Sequence, residues 1–168
     1  FERYIDDFED ISTNVDVKNN IPVNNKVFIV HGHDGELKEK VARRLEQQGI
    51  EAIILSEQAN RGRTIIEKIE AYSDVHVAIA LFTQDDIGAV KEEKGNEKYR
   101  ARQNVVFEAG YFVGYLGREN VIMIAEENLE IPGDLSGMVY TTKDNWEFEM
   151  LKELKAAGMK IDMNKLIG

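Results

Sequence analysis

Cysteine is absent from the 168-residue sequence, which excludes a disulfide framework and a zinc site built on thiolates. No apolar run reaches the roughly 18 residues that a membrane-spanning helix needs, so we expect no membrane association. No secretory signal is visible, and we expect a cytoplasmic protein. The formal net charge of −10 argues against a nucleic-acid partner. It remains compatible with one small nucleotide, which needs only a few local hydrogen-bond donors.

Several nucleotide and hydrolase motifs are also missing. The sequence has no Walker GxxxxGK[ST], no GxGxxG after its first predicted strand and no GxSxG elbow. A phosphoacceptor receiver domain is disfavoured as well. Its acidic pair would follow the first strand, whereas Asp85 and Asp86 follow the third.

The first 25 residues differ from the rest of the chain. They hold six acidic residues against two basic ones, with apolar residues at helical spacing and a linker-like "NNIPVNN" at the end. We interpret residues 1–25 as the end of an upstream helix and a tether, in a chain that is a piece of a longer protein. A helix packed on the same domain is the equally open alternative. Residues 26–168 are predicted to form one domain.

From Lys26 onwards, apolar strands alternate with amphipathic helices, which predicts an α/β domain with a parallel sheet. The short connections favour a flavodoxin-like order, 2-1-3-4-5, with helices on both faces. In the second helix, Ile65, Ile66 and Ile69 are expected to face inward. The polar segment 83–100 is predicted to lack secondary structure. The five predicted strands are "KVFIV", "IEAIIL", "HVAIALF", "NVIMIA" and "GMVYTT".

Ligands of such sheets bind beyond the carboxyl ends of the strands, at the point where the strand order reverses. The loops there are "HGHDGE" after strand one and "TQDDIG" after strand three. The first loop has three interpretations. His31, His33 and Asp34 would bind a metal, although their spacing is unusual for a metal site. Alternatively, the loop is a turn in which Asp34 caps the next helix. Thirdly, its amides and the helix N-terminus face a phosphate or ribose.

The most apolar helix, "ARQNVVFEAGYFVGYLG", contains one acid, Glu108. At 100° per residue, one apolar arc is expected to face the sheet, formed by Val105, Val106, Ala109, Phe112, Val113 and Leu116, and Glu108 lies at its edge. A strip of Gly110, Gly114 and Gly117 runs beside it. Glycine weakens a helix by up to about 1 kcal/mol relative to alanine, a cost tolerated where a ligand or another backbone comes close. Spacing alone also allows a simple Arg–Glu pair on a partly exposed helix.

A resemblance favours the functional interpretation of Glu108. The strings "KVFIVHGHD", "EQANRGRTIIEKIEAYSDVHVAIALFTQDDIG", "RARQNVVFEAGYFVGYLGRENV" and "IPGDLSGMVY" resemble the bacterial TIR-like family, whose members are effectors of anti-phage signalling systems. The similarity extends over residues 26–162. It implies a TIR fold, which is flavodoxin-like, and cleavage of NAD into nicotinamide and an ADP-ribose product. It also implies a separate or fused sensor of cyclic nucleotides.

The same resemblance makes Glu108, the acid of the "FE" pair, the catalytic residue, with NAD as substrate and no further cofactor or metal. Breaking the nicotinamide–ribose bond places positive charge on the sugar, which a carboxylate stabilises. Because the leaving group is already cationic, one acid suffices where ordinary glycosidases need two. The predicted substrate-binding residues are His31, Gly32, His33, Asp34, Asp85, Asp86, Arg102, Asn104 and Tyr111.

Two other functions remain open from the sequence: a non-catalytic TIR-type module that only assembles or binds nucleotide, and a nucleoside N-ribosyl hydrolase or transferase. For the NAD-cleaving alternative we expect activation by self-association, because TIR domains commonly act as dimers or filaments. The charged segment 84–102, next to Glu108, is long enough to serve as the loop that completes a neighbour's site. A solvated loop without a role is the alternative.

Overall fold

The computed structural model describes residues 23–33, 35–59, 61–92 and 94–167. Five strands form one parallel sheet, in the order β2 (Glu51–Ile54), β1 (Lys26–Val30), β3 (Val77–Phe82), β6 (Val121–Ala125) and β8 (Val139–Thr141). Counted along the chain, these strands are the five that the sequence predicted, in the order 2-1-3-4-5, so the flavodoxin-like fold is confirmed.

Helices cover both faces of this sheet: α1 Glu36–Gln47, α2 Ile65–Tyr72, α3 Gln103–Leu116 and α4 Trp146–Ala156. Alternate residues of each strand point to opposite faces, so Val27 and Phe28 belong to two different cores. α1 and α4 bury leucines and methionine on one face. α2 and α3 bury Ile69, Val105 and Phe112 on the other. Short 3₁₀ turns lie at Leu55–Glu57, Arg118–Asn120, Gly133–Met138 and Met163–Ile167.

The segment predicted to lack secondary structure contains two strands, so that prediction is wrong. β4 (Asp86–Gly88) pairs antiparallel with β5 (Lys98–Arg100), and β5 pairs parallel with β7 (Leu129–Glu130). An ion pair joins Arg100 Nε to Glu130 Oε2 at 2.5 Å across this small sheet. These strands have two or three residues each and carry no apolar alternation, so local patterning does not reveal them.

The inner face of α2 also differs from the prediction. Ile69 is buried as expected, but Ile65 and Ile66 are 57% and 55% exposed. Lys68 is buried instead, with 7% of its surface exposed. Ile65 borders an open cavity, which explains its exposure.

Residues 1–22 lie outside the described part of the chain, and with them the predicted upstream helix end and most of the predicted linker. The last linker residues contact the domain: Asn24 Nδ2 donates to the carbonyl of Asp74 at 3.2 Å, and Asn25 donates to the carbonyl of Gly49. Among the residues described, no helix is both long and apolar enough to cross a bilayer.

Candidate functional site

The loops that follow β1 and β3 touch at the carboxyl edge of the sheet. A Cβ placed on Gly32 would stand 1.8 Å from Asp85 Oδ2, so only glycine fits there without a shift. The Asp85 carboxylate accepts a hydrogen bond from Thr83 Oγ1 at 2.5 Å, which holds it against the glycine. The two loops singled out by the order of the strands therefore meet, as open α/β sheets require at a ligand site.

Beside this contact lies a cavity of about 200 Å³. β1 and the turn after β2 form one wall, and α2 and α3 form the other. Glu108 and Asn104 enter from α3, where they lie one helical turn apart. The lining residues are Ile29, His31, Leu55, Ser56, Ile65, Lys68, Asn104 and Glu108.

Glu108 is half-buried at this cavity. Burial raises the pKa of its carboxyl from 4.5 to about 7. Within the described residues its carboxylate has no hydrogen bond and no ion pair. The Arg–Glu pair that spacing allowed is not formed with the nearby arginine: Arg102 Nε lies 3.5 Å from Asp86 Oδ1. The Glu108 oxygens are therefore free to accept hydrogen bonds from a ligand.

His31 is held in one orientation by its neighbours. Its Nδ1 lies 2.8 Å from the carbonyl oxygen of Gly32 and its Nε2 lies 3.4 Å from Ser56 Oγ. A carbonyl can only accept, so Nδ1 is the donor of the first bond. In the neutral ring, Nε2 then accepts from the Ser56 hydroxyl. His31 thus presents a ring of fixed orientation at the cavity wall.

Comparison with known proteins decides the family. A family model for the CAP12/Pycsar effector protein TIR domain matches residues 26–145, most of the chain and every cavity residue. The chain belongs to this family of TIR effector domains. The resemblance to bacterial TIR-like anti-phage effectors, drawn from the sequence strings, is therefore confirmed.

Individual relatives of this TIR domain come from distant organisms. The uncharacterized protein YuaY of Escherichia coli (strain K12) is 47% identical over 150 residues, which cover 87% of the chain and 50% of YuaY. Protein tirC of Dictyostelium discoideum is 39% identical over 140 residues, 77% of the chain and 68% of tirC. CD-NTase-associated protein 12 of Sphingobacterium faecium is 33% identical over 79 residues, which cover 46% of the chain and 24% of that protein. The chain thus spans only half the length of YuaY.

Several residues predicted to bind substrate lie away from the cavity of this TIR domain. Asp86 and Arg102 pair with each other, and His33 is exposed in the loop after β1. Tyr111 stacks on Tyr115, with ring centroids 5.7 Å apart and planes 12° from parallel. None of these lines the Glu108 cavity, and their roles stay predictions. Asp34 lies outside the described residues.

Sequence reasoning missed Ser56 and Lys68. Ser56 lies in the 3₁₀ turn after β2, a position that no local pattern marks as functional. Lys68 stands among Ile65, Ile66 and Ile69, and their apolar side chains predict a buried face without it. The sequence does contain a signal for the position of α2, because Thr64 and Glu67 form a capping box. In it, Glu67 N donates to Thr64 Oγ1 at 3.3 Å and Thr64 N donates to Glu67 Oε2 at 2.7 Å. It fixes the start of α2 and hence where Lys68 stands.

A second cavity, of about 420 Å³, lies between the small sheet and the start of α3. It is larger than the Glu108 cavity, but its two charged residues, Arg100 and Glu130, neutralise each other. It therefore offers no unpaired charge to a ligand, and we place the site at Glu108. Over the described ranges, no group of three or more His, Asp or Glu side chains is arranged to hold a metal ion.

Proposed function

We propose that the chain is an NAD glycohydrolase that cleaves the bond between nicotinamide and ribose, as the effector domain of a bacterial anti-phage defence system. One observation supports it most: Glu108, an acid without a partner among the described residues, stands at a cavity beside the carboxyl edge of the sheet, in a member of an effector TIR family. Family membership makes the effector role the natural context, and the cleavage chemistry is inferred from the site.

In the proposed reaction, the ribose lies against Glu108. As the bond from C1′ to the nicotinamide nitrogen lengthens, that nitrogen takes the bonding electrons and positive charge grows on the ribose ring. The ionised Glu108 carboxylate stabilises this charge electrostatically and accepts hydrogen bonds from ribose hydroxyls. Water then adds at C1′ and loses a proton, which gives ADP-ribose. The apolar walls formed by Ile29 and Leu55 strengthen the electrostatic effect by excluding water.

We further propose that self-association activates the enzyme. The cavity of about 200 Å³ is smaller than the roughly 300–1,000 Å³ of typical ligand sites, so it would hold the nicotinamide end of NAD and leave the rest uncovered. A second copy of the domain would complete the wall. An upstream sensor or a cyclic-nucleotide signal would bring the copies together.

The outer face of α3 is available for such contacts. Phe107 and Tyr115 are 59% and 57% exposed. No described atom lies within 4 Å of a Cβ placed on Gly110 or Gly114, so this face is smooth and uncovered in the single chain.

The test of the activity is incubation of the purified chain with NAD, with nicotinamide measured by chromatography over a range of protein concentrations. We expect nicotinamide release, with specific activity that rises with protein concentration. Purine and pyrimidine nucleosides are offered in parallel. Cleavage of nucleosides but not NAD would favour the nucleoside hydrolase alternative, and no cleavage at any concentration would favour the non-catalytic module.

A further inference from the structure

Lys68 is an unusual residue for its position. It lies in α2 with 93% of its surface buried, whereas lysine is almost never fully buried without a partner. Its backbone is fixed by the start of the helix, where Lys68 N donates to the carbonyl of Thr64 at 2.9 Å. The next residue, Ile69, packs in the core with 2% exposure. The side chain thus starts from a rigid anchor.

The ammonium group of Lys68 forms no hydrogen bond or ion pair with any part of the chain that the structure describes. In the same residues, no fully buried side-chain nitrogen or oxygen lacks a hydrogen-bond partner. The Lys68 ammonium must therefore retain contact with solvent, although the rest of the side chain is covered. Lys68 lines the Glu108 cavity, which provides that contact.

An acid, Glu108, and a lysine, Lys68, thus line one cavity without pairing with each other. No ion pair within 4.0 Å joins Lys68 to Glu108 in the described structure. Of the described lining residues, Lys68 is the only lysine or arginine. A ligand that satisfies both groups carries a hydroxyl-bearing or positively charged part for Glu108 and an anionic group for Lys68.

We propose that Lys68 binds the phosphate attached to the nicotinamide ribose, and so orients the ribose against Glu108. This inference rests on the proposed function, because it takes the ribose at Glu108 to be that of a nicotinamide nucleotide. A charge-assisted hydrogen bond from an ammonium to a phosphate is among the stronger polar contacts in proteins. The alternative is a lysine whose aliphatic stem fills space while its ammonium merely reaches water.

The experiment compares two ligands that differ only in the phosphate: nicotinamide mononucleotide and nicotinamide riboside. Affinities are measured by calorimetry on the Glu108→Gln chain, which removes the proposed cleavage. We expect the mononucleotide to bind at least tenfold more tightly than the riboside. Adding Lys68→Met should remove most of this preference by weakening the mononucleotide about tenfold or more, with the riboside unchanged. Lys68→Arg, which keeps the charge, should retain part of the preference.

Lys152→Met serves as the matched control, because Lys152 lies on α4 and pairs with Glu149 at 3.3 Å. It should leave both affinities unchanged. Equal affinities for the two ligands before any change at Lys68 would overturn the proposal even if Lys68→Met failed to fold. So would an equal loss for both ligands in Lys68→Met, or no binding of either at millimolar concentration.

NAD cleavage by the wild-type chain and by Lys68→Met, both of which retain Glu108, separates this inference from the proposed function. If the wild-type chain cleaves NAD and Lys68→Met does so with unchanged KM and kcat, only the Lys68 proposal fails. If the wild-type chain does not cleave NAD, the proposed function fails, and the two affinities still decide whether Lys68 recognises a phosphate.

Discussion

Arg102 pairs with Asp86, its Nε 3.5 Å from Oδ1, and so leaves Glu108 without this neighbouring cation. The Glu108 carboxyl is consequently governed by its burial, which raises its pKa to about 7. An acid that must be ionised to stabilise a cationic transition state is then only half ionised at neutral pH.

We therefore predict that kcat/KM for NAD rises with pH through about 7, because this parameter reports the ionisation of the free enzyme. Below pH 6 the rate should fall close to tenfold per pH unit, and above pH 8 it should level off. Initial rates of nicotinamide release between pH 5 and 9 provide the measurement. A profile that stays flat from pH 5 to 8 would mean that Glu108 does not act as the ionised group.

The same burial predicts that Glu108→Gln stabilises the fold at alkaline pH. The folded pKa lies above the ordinary 4.5, so ionisation opposes folding. Stability is fully present below pH 4.5 and is lost as pH rises through 7. Each pKa unit corresponds to about 1.4 kcal/mol. Because Glu108 is partly exposed, we discount the full effect for solvent screening and expect a gain of ~1–2 kcal/mol at pH 8.

Urea unfolding of both chains at pH 4.5 and pH 8 measures this difference. The free energies of unfolding should coincide at the lower pH and diverge at the higher one. A glutamine variant that is less stable than wild type at pH 8 would show that the ionised carboxylate has a favourable partner.

The contact between Gly32 and Asp85 predicts that alanine is harmful at Gly32 but tolerated at the nearby Gly35, which serves as the control. Gly32→Ala places a methyl group 1.8 Å from Asp85 Oδ2 and must displace that carboxylate, which Thr83 holds. We expect a loss of about 1–3 kcal/mol of stability, as for other overpacked sites, and at least a tenfold loss of NAD cleavage. Gly35→Ala, three residues later, meets no atom within 4 Å and should change little. Thermal unfolding and initial rates check both, and equal behaviour of the two variants would contradict the geometry.

A substitution on the smooth face of α3 should affect self-association without affecting folding. Gly114→Arg meets no described atom within 4 Å, so the isolated domain should fold with unchanged or higher stability. If this face joins two copies, the bulky charge should weaken self-association and shift the rise in specific activity to higher protein concentration. Light scattering and activity over a hundredfold dilution series measure this. An unchanged concentration dependence would place the assembly surface elsewhere.

The central sheet could be predicted because its signal is local. After their first residues, "KVFIV" and "HVAIALF" are apolar, as interior parallel strands are, and helices of amphipathic pattern stand between them. The buried residues of α3, Val105, Ala109 and Phe112, also followed from angular spacing alone.

The small sheet and the full cavity could not be predicted, because both depend on contacts between distant parts of the chain. β5 is held by Glu130, thirty residues away, and has no apolar alternation of its own. Helical periodicity likewise predicted Ile65 and Ile66 on the inner face of α2, where the structure buries Lys68 and leaves Ile65 at the cavity opening. The raised pKa of Glu108 also required the tertiary structure, since burial causes it.

The most direct test of the proposed function compares nicotinamide release by the wild-type chain and Glu108→Gln, at pH 8 and at the highest protein concentration. Glu46→Gln, on the exposed side of α1, is the matched control. We predict that Glu108→Gln folds normally and loses at least a hundredfold in NAD cleavage, while Glu46→Gln cleaves at the wild-type rate. Cleavage by a folded Glu108→Gln chain within a few fold of wild type would contradict the assignment of Glu108 as the catalytic acid.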